Sequence, residues 1–172
     1  MIYYAGIGSR NCPENIANAI DKISGILAKK GFILRSGGAG GCDEAFEIGC
    51  DKFGGKKQIF LPWKNFNNNK STLYTQPAWA EEVAFYFHPY INQNSKQSII
   101  KLMSRNSMQI LGPDNKENEH SKFVVCYTQD GEDSGGTGQA LRIARSFHIP
   151  VFNLYHKNSL QDLKRMVTEL ES

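Results

Sequence analysis

The sequence predicts an α/β protein, a three-layer doubly wound parallel sheet of about five strands in the order 3-2-1-4-5. Three observations predict it. Short apolar runs alternate with helical patterns in a β-α-β-α-β rhythm, which calls for parallel strands and right-handed crossovers. Glycine-rich loops follow three of those runs, at 6–10, 36–41 and 134–138. In such sheets the strand carboxyl ends gather on one edge, where ligands bind at the point of reversed strand order. With 172 residues, 40% hydrophobic and 22% charged, the chain reads as one globular domain, 1–172.

Ile2-Tyr3-Tyr4-Ala5 is the first strand and runs into Gly6-Ile7-Gly8-Ser9-Arg10. Pro13 stands near a helix start, where a missing N–H costs nothing. Ile16, Ala19, Ile20, Ile23 and Leu27 then repeat every three or four residues, the mark of one buried helical face. Lys29-Lys30-Gly31 closes that helix with late cations and a glycine cap. Phe32 to Leu34 is the second strand, and a helix bearing Ala45, Phe46 and Ile48 follows the glycine stretch. Gln58 to Leu61 is the third strand, stopped by Pro62. Residues 63–75 form a long asparagine-rich loop, a length that often signals function. Helical patterns cover roughly 77–87 and 95–111. An exposed polar turn spans 112–121, Phe123 to Tyr127 is the fourth strand, and Ala140, Leu141, Ile143 and Ala144 mark the helix after it. Ile149 to Leu154 is the fifth strand, and Leu160 to Leu170 the last helix.

The stretch Ser36-Gly37-Gly38-Ala39-Gly40-Gly41-Cys42-Asp43-Glu44 organises the chemistry. Glycine lets the backbone approach another object closely. A glycine loop entering a helix aims N–H groups and the dipole's positive end at one point, an anion site suited to phosphate. A strand-to-helix turn without ligand is the alternative, although it needs fewer glycines. None of the three loops reads as a Walker A motif, and none gives a clean G-x-G-x-x-G fingerprint. Arg10 suits a bidentate phosphate clamp or an ordinary surface role. Asp43 and Glu44 in the first helical turn suit dipole stabilisation, ribose hydrogen bonds or acid–base work. Glu47, one turn on, can share their face. Thr137 and Gly138 open a helix whose N–H groups can take phosphate. Trp63 and Phe66 read as loop anchors or as a base-stacking pair. Cys42, at a helix N-terminus, is expected to have a lowered pKa.

Four cysteines without C-x-x-C spacing and four scattered histidines give no metal-type cluster. No apolar run reaches membrane-spanning length. The strand at the very start leaves no stretch resembling a targeting peptide, so a cytoplasmic setting with reduced thiols is expected. A net charge of +3 suits an anionic ligand without by itself indicating nucleic acid.

Gly8-Ser9-Arg10, Ser36 through Asp43, Arg105-Asn106 and Ser134-Gly135-Gly136-Thr137-Gly138-Gln139-Ala140 occur in that order. Together they resemble the Rossmann-like superfamily that joins the DNA-processing protein DprA/Smf to the "Lonely guy" (LOG) phosphoribohydrolases. The resemblance spans residues 2–155. It implies a nucleotide or phosphate cradle built from Gly8, Ser9, Arg10, Ser36, Gly37, Gly38, Ala39, Gly40, Gly41, Arg105, Asn106, Gly135, Gly136, Thr137, Gly138 and Gln139. It implies self-association, with a dimer expected, and no cofactor or metal is expected. The LOG pattern Gly-Gly-x-Gly-Thr-x-x-Glu is broken: Gln139 stands for the threonine and Arg142 for the catalytic glutamate. The first expectation is therefore a binding protein for a nucleotide or nucleotide-derived ligand, a sensor or sequestering module. The second is a nucleotide N-glycosidic or phosphate-bond hydrolase using Asp43, Glu44 or Glu47. The third, ranked behind the small-molecule readings, is a DprA-like single-stranded DNA binder.

Overall fold

A computed structural model describes residues 1–172. Its elements are β1 (Tyr3–Gly8), α1 (Glu14–Lys29), β2 (Ile33–Ser36), α2 (Cys42–Lys52), β3 (Lys57–Ile59), α3 (Ala78–Phe87), α4 (Gln97–Leu111), β4 (Val124–Tyr127), α5 (Gly135–Ser146), β5 (Val151–Asn153) and α6 (Ser159–Glu171). Two short 3₁₀ turns lie at Phe66–Asn68 and Glu117–Glu119. The five strands form one sheet in the order β3-β2-β1-β4-β5, and every pairing is parallel. The α/β class, the strand order and the doubly wound layering are those the sequence calls for.

Alternation along the strands sorts the two faces. Tyr4, Leu34, Phe123, Val125 and Tyr127 point to one side and pack against α1, α2 and α6 through Ile20, Leu27, Phe46, Leu163 and Val167. Ala5, Ile7, Val124 and Cys126 point to the other and meet Ile110, Leu111, Ala140, Leu141 and Ile143 of α4 and α5. Small β1 residues let α2 come close. A Cβ on Gly8 would stand 2.8 Å from the Cys42 side chain, so that approach depends on glycine.

Boundaries moved where tertiary pairing overrode local pattern. β2 runs on through Arg35 and Ser36, because both continue the ladder to β3. Ser36 is thus a strand terminus and not part of the loop. β3 and β5 contract to three residues each. Beyond β3, Phe60 makes a single bridge to Leu73, so the asparagine-rich loop folds back along the sheet edge. That loop carries Asn65, Asn67 and Asn68 at positive φ, a conformation asparagine tolerates better than most residues.

The turn into α2 rests on Gly41, at φ 77°, where an added Cβ would collide with the backbone of Arg10. Gly40 beside it has open space around a notional Cβ and no positive φ. Gly41→Ala should therefore lower unfolding stability by about 2 kcal/mol or more, from strain and overpacking together. Gly40→Ala should change it by less than about 0.5 kcal/mol. Chemical denaturation of the two variants beside the parent chain measures both.

Candidate functional site

The sheet reverses its order between β1 and β4, and a cleft of about 650 Å³ opens there at their carboxyl ends. That size falls within the range of small-molecule sites, about 300–1,000 Å³. Gly8, Ser9 and Arg10 follow β1, and Thr128, Gln129 and Asp130 follow β4. Ser134 to Thr137 form the start of α5, while Leu102, Met103, Arg105, Asn106 and Gln109 come from α4. Ala39 and Asp43 close the remaining side.

The first turn of α5 is the helix start left open toward the cleft. Ser134 is the N-cap residue but makes no side-chain cap; its hydroxyl donates to the Asp130 carboxylate instead, at 2.7 Å. Asp130 also accepts the Glu132 N–H, which sets the loop ahead of the helix, and these bonds hold its pKa below the ordinary value. The first intrahelical bond is Gly138 N–H to Ser134 carbonyl. The amides of Gly135, Gly136 and Thr137 precede it and find no acceptor within the helix. Gly135, at φ 65°, makes this entry with no Cβ to crowd the cleft.

Opposite lies a buried polar clasp on α4. Arg105 Nη1 donates to the Gly37 carbonyl, and Arg105 Nε donates to Asn106 Oδ1 at 2.9 Å. Asn106 Nδ2 in turn donates to the Gly136 carbonyl and to Gln139 Oε1, both at 3.1 Å. Two side chains thereby tie the loop after β2 to the start of α5. Arg105 has no ion pair within 4.0 Å. Burial pulls its pKa down to about 10, the nearby Asp43 opposing, which leaves it charged at neutral pH. The exposed Arg10 adds a second cation at the cleft. Phe66 packs near both guanidinium groups, its ring centre 6.0 Å from Arg10 and 5.6 Å from Arg105.

The loop 36–41 is arranged differently from the phosphate cradle expected of it. Of its residues only Ala39 lines the cleft. Its N–H donates to the carboxylate of Asp43 at 3.2 Å, so the loop's bound anion is a side chain of the protein itself. Asp43 is 4% exposed. Burial raises its pKa to about 6, against the charge of Arg105 and the amides of Ala39 and Gly8, which favour the ionised form.

The carboxylate trio is not assembled. Glu44 is exposed and does not line the cleft. Glu47 is turned outward, where it pairs with Lys57 at 2.9 Å and accepts from Asn69 Nδ2 at 2.8 Å. Ser36, Gly37, Gly38, Gly40, Gly41, Gly138 and Gln139 do not line the cleft; Gly8, Ser9, Arg10, Ala39, Asp43, Arg105, Asn106, Gly135, Gly136 and Thr137 do. Trp63 sits edge-on against Phe66 at 5.3 Å, and neither lines the cleft. Cys42 departs from expectation as well. Burial, and then the neighbouring Cys12 thiol, push its pKa upward, because the helix start that should favour a thiolate is dry. The sequence reading missed Thr128, Gln129, Asp130, Ser134 and Gln109. Gln109 was recoverable as the residue one helical turn after Arg105; the others belong to a loop recognised for its glycines alone. No three histidine, cysteine or acidic side chains are grouped to hold a metal ion, all four cysteines are unbridged, and no helix is long and apolar enough to cross a membrane.

The sheet order and the position of the cleft define a Rossmann-like α/β fold of the DprA type. DprA from Streptococcus pneumoniae superposes with a TM-score of 0.57 at 17% identity, covering 89% of this chain and 50% of that one. DprA from Helicobacter pylori, in a structure described for its single-stranded DNA binding mode, superposes with a TM-score of 0.54 at 16% identity. That match covers 96% of this chain and 72% of the relative. The chain thus spans half the length of the first of these proteins. No protein-family model and no curated protein matches the sequence.

Two outcomes test this geometry. Asn106→Leu leaves Gln139 Oε1 and the Gly136 carbonyl without their donor, and should cost about 1–3 kcal/mol in denaturant unfolding. Folding raises the Asp43 carboxyl above its ordinary value near 3.9. Its contribution to stability is therefore fully present below about pH 4 and is lost as pH rises through about 6. The stability of the parent chain minus that of Asp43→Asn should fall across this interval, as read by denaturation at pH 4.5, 6 and 7.5.

Proposed function

We propose that this protein binds a nucleotide or nucleotide-derived ligand in the cleft between β1 and β4. One observation carries the proposal: the uncapped first turn of α5, with the amides of Gly135, Gly136 and Thr137, faces a cleft that also holds Arg10 and Arg105. Helix-start amides and the dipole favour a phosphate there, and guanidinium groups reinforce it. Gln129 and the Asp43 carboxyl add donors and acceptors that ribose hydroxyls or a base edge can use.

Binding rather than turnover is the reading favoured. Glycosidic hydrolysis uses a pair of carboxyl groups flanking the scissile bond. Of the two carboxylates in the cleft, Asp130 is engaged by Ser134 and the Glu132 amide, and Asp43 by the Ala39 amide.

A second reading, single-stranded nucleic acid, is favoured by the fold shared with the Helicobacter pylori protein. The two differ in salt dependence, because binding along a strand releases counterions in proportion to the phosphates engaged.

Thermal unfolding with AMP, NAD and ADP-ribose, followed by calorimetric titration, tests the proposal. At least one should raise Tm without releasing free base. Arg10→Ala should weaken that ligand about tenfold, as expected for one charge-assisted contact. Gly136→Pro removes one amide in a turn that tolerates proline and should weaken it by a similar factor. Released base would establish the hydrolase instead. Steeply salt-dependent oligonucleotide retention, with no response to mononucleotides, would establish the nucleic-acid reading.

A further inference from the structure

A second depression of about 570 Å³ lies at the α5 N-terminus. It is lined by Tyr86, His88, Pro89, Tyr90, Gly135 and Arg142. Gly135 lines the main cleft as well, so the two depressions share one residue at the start of α5. Tyr86 and Tyr90 are 83% and 87% exposed, more than any other tyrosine, phenylalanine or tryptophan in the chain. The other large aromatics are anchored to a much greater degree: Trp63 is 37% exposed and Phe53 49%.

The segment bearing these rings is fastened to the site. Arg142 Nε donates to the Phe87 carbonyl at 3.1 Å, and Nη1 donates to the Asp133 carbonyl at 3.3 Å. One guanidinium thus joins the end of α3 to the loop that leads into α5. It makes no ion pair, so its positive charge remains available at the junction. Tyr86 is braced edge-on by Phe87 at 4.9 Å, and Tyr90 by His88 at 6.3 Å. Two exposed rings, an unpaired cation lining the same depression and a lining residue shared with the cleft match the chemistry of a second nucleobase.

We infer that the ligand of this site is a dinucleotide, with its phosphate bridge at the start of α5, one nucleoside in the main cleft and the second base stacked on the Tyr86–Tyr90 face beside Arg142. The inference rests on the nucleotide-binding reading and narrows it. It also assigns work to Arg142, the residue that breaks the glutamate pattern noted in the sequence. In this position an arginine positions an aromatic platform, and a glutamate would place a negative charge beside the bridging phosphate.

Calorimetry with AMP, ADP and the 5′-phosphorylated diadenylate pApA separates the possibilities, with ADP as the control for added charge. The parent chain should bind pApA at least about tenfold more tightly than ADP, the gain expected of one stacked base. The double variant Tyr86→Ala/Tyr90→Ala changes only exposed rings. It should bind AMP and ADP as the parent does and bring pApA to the level of ADP. If pApA gains nothing over ADP, or its gain survives in the double variant, the dinucleotide assignment is overturned while mononucleotide binding stands. If AMP, ADP and pApA all fail to bind, this inference is overturned, and the nucleotide reading fails with it when NAD and ADP-ribose fail to bind as well. Binding of a (dT)20 strand without binding of pApA likewise overturns it, in favour of a single-strand surface.

Discussion

The architecture around the cleft depends on one clasp, the hydrogen-bonded chain from the Gly37 carbonyl through Arg105 and Asn106 to Gly136 and Gln139. It solves a packing problem that the fold creates. A parallel sheet wound on both faces brings separate loops to one edge, but nothing in the winding holds them in register. Here α4 lies across that edge with a polar C-terminal half, Ser104 to Gln109, almost wholly buried. Each member must then find partners inside the protein. Ser104 donates to the Ile100 carbonyl, Ser107 to the Ala80 carbonyl, and Arg105 and Asn106 to the two glycine loops. A connected network of this kind rigidifies what it touches. It also keeps a cation at the cleft without an ion-pair partner, which supplies a positive field where an anion would bind.

Asp43 is the counterweight. Its carboxyl lies against the loop that a phosphate was expected to occupy, takes the Ala39 amide, and faces Arg105 through space. A strand–glycine loop–helix unit with an acid in its first turn satisfies its own anion requirement. The unit after β4 has no acid in its first turn, Ser134 turns away to Asp130, and its amides stay open. Two loops of the same general plan therefore take different roles. One is filled from within by Asp43, and the other leaves its amides open to the cleft.

This contrast shows how far the residues alone could be read. Strand order and layering were legible because hydrophobic period and glycine punctuation follow from backbone geometry, which acts locally. The clustering of Gly8, Arg10, Arg105, Asn106 and Gly135 at one edge was legible as well, through topology and motif resemblance together. What was not legible was direction. Glu47 looked like a neighbour of Asp43, but the helix turns it toward Lys57 and Asn69. Cys42 looked activated, but burial against Cys12 raises its pKa. Ser36 looked like loop and is strand, because β3 pairs with it.

The sequence by itself determined a doubly wound parallel α/β fold and the edge at which its glycine loops gather. Both follow from short-range rules: alternation in strands, the 3.6-residue period in helices, and the freedom of glycine at tight entries. Only the tertiary structure decided which glycine loop is filled by Asp43 and which is open, and that Arg142 fastens two exposed tyrosines beside the open one. Those outcomes depend on distances between residues far apart in the chain and on the dryness of their surroundings. Neither quantity is written in local pattern, because each side chain's charge, partners and direction are set by whatever packs against it.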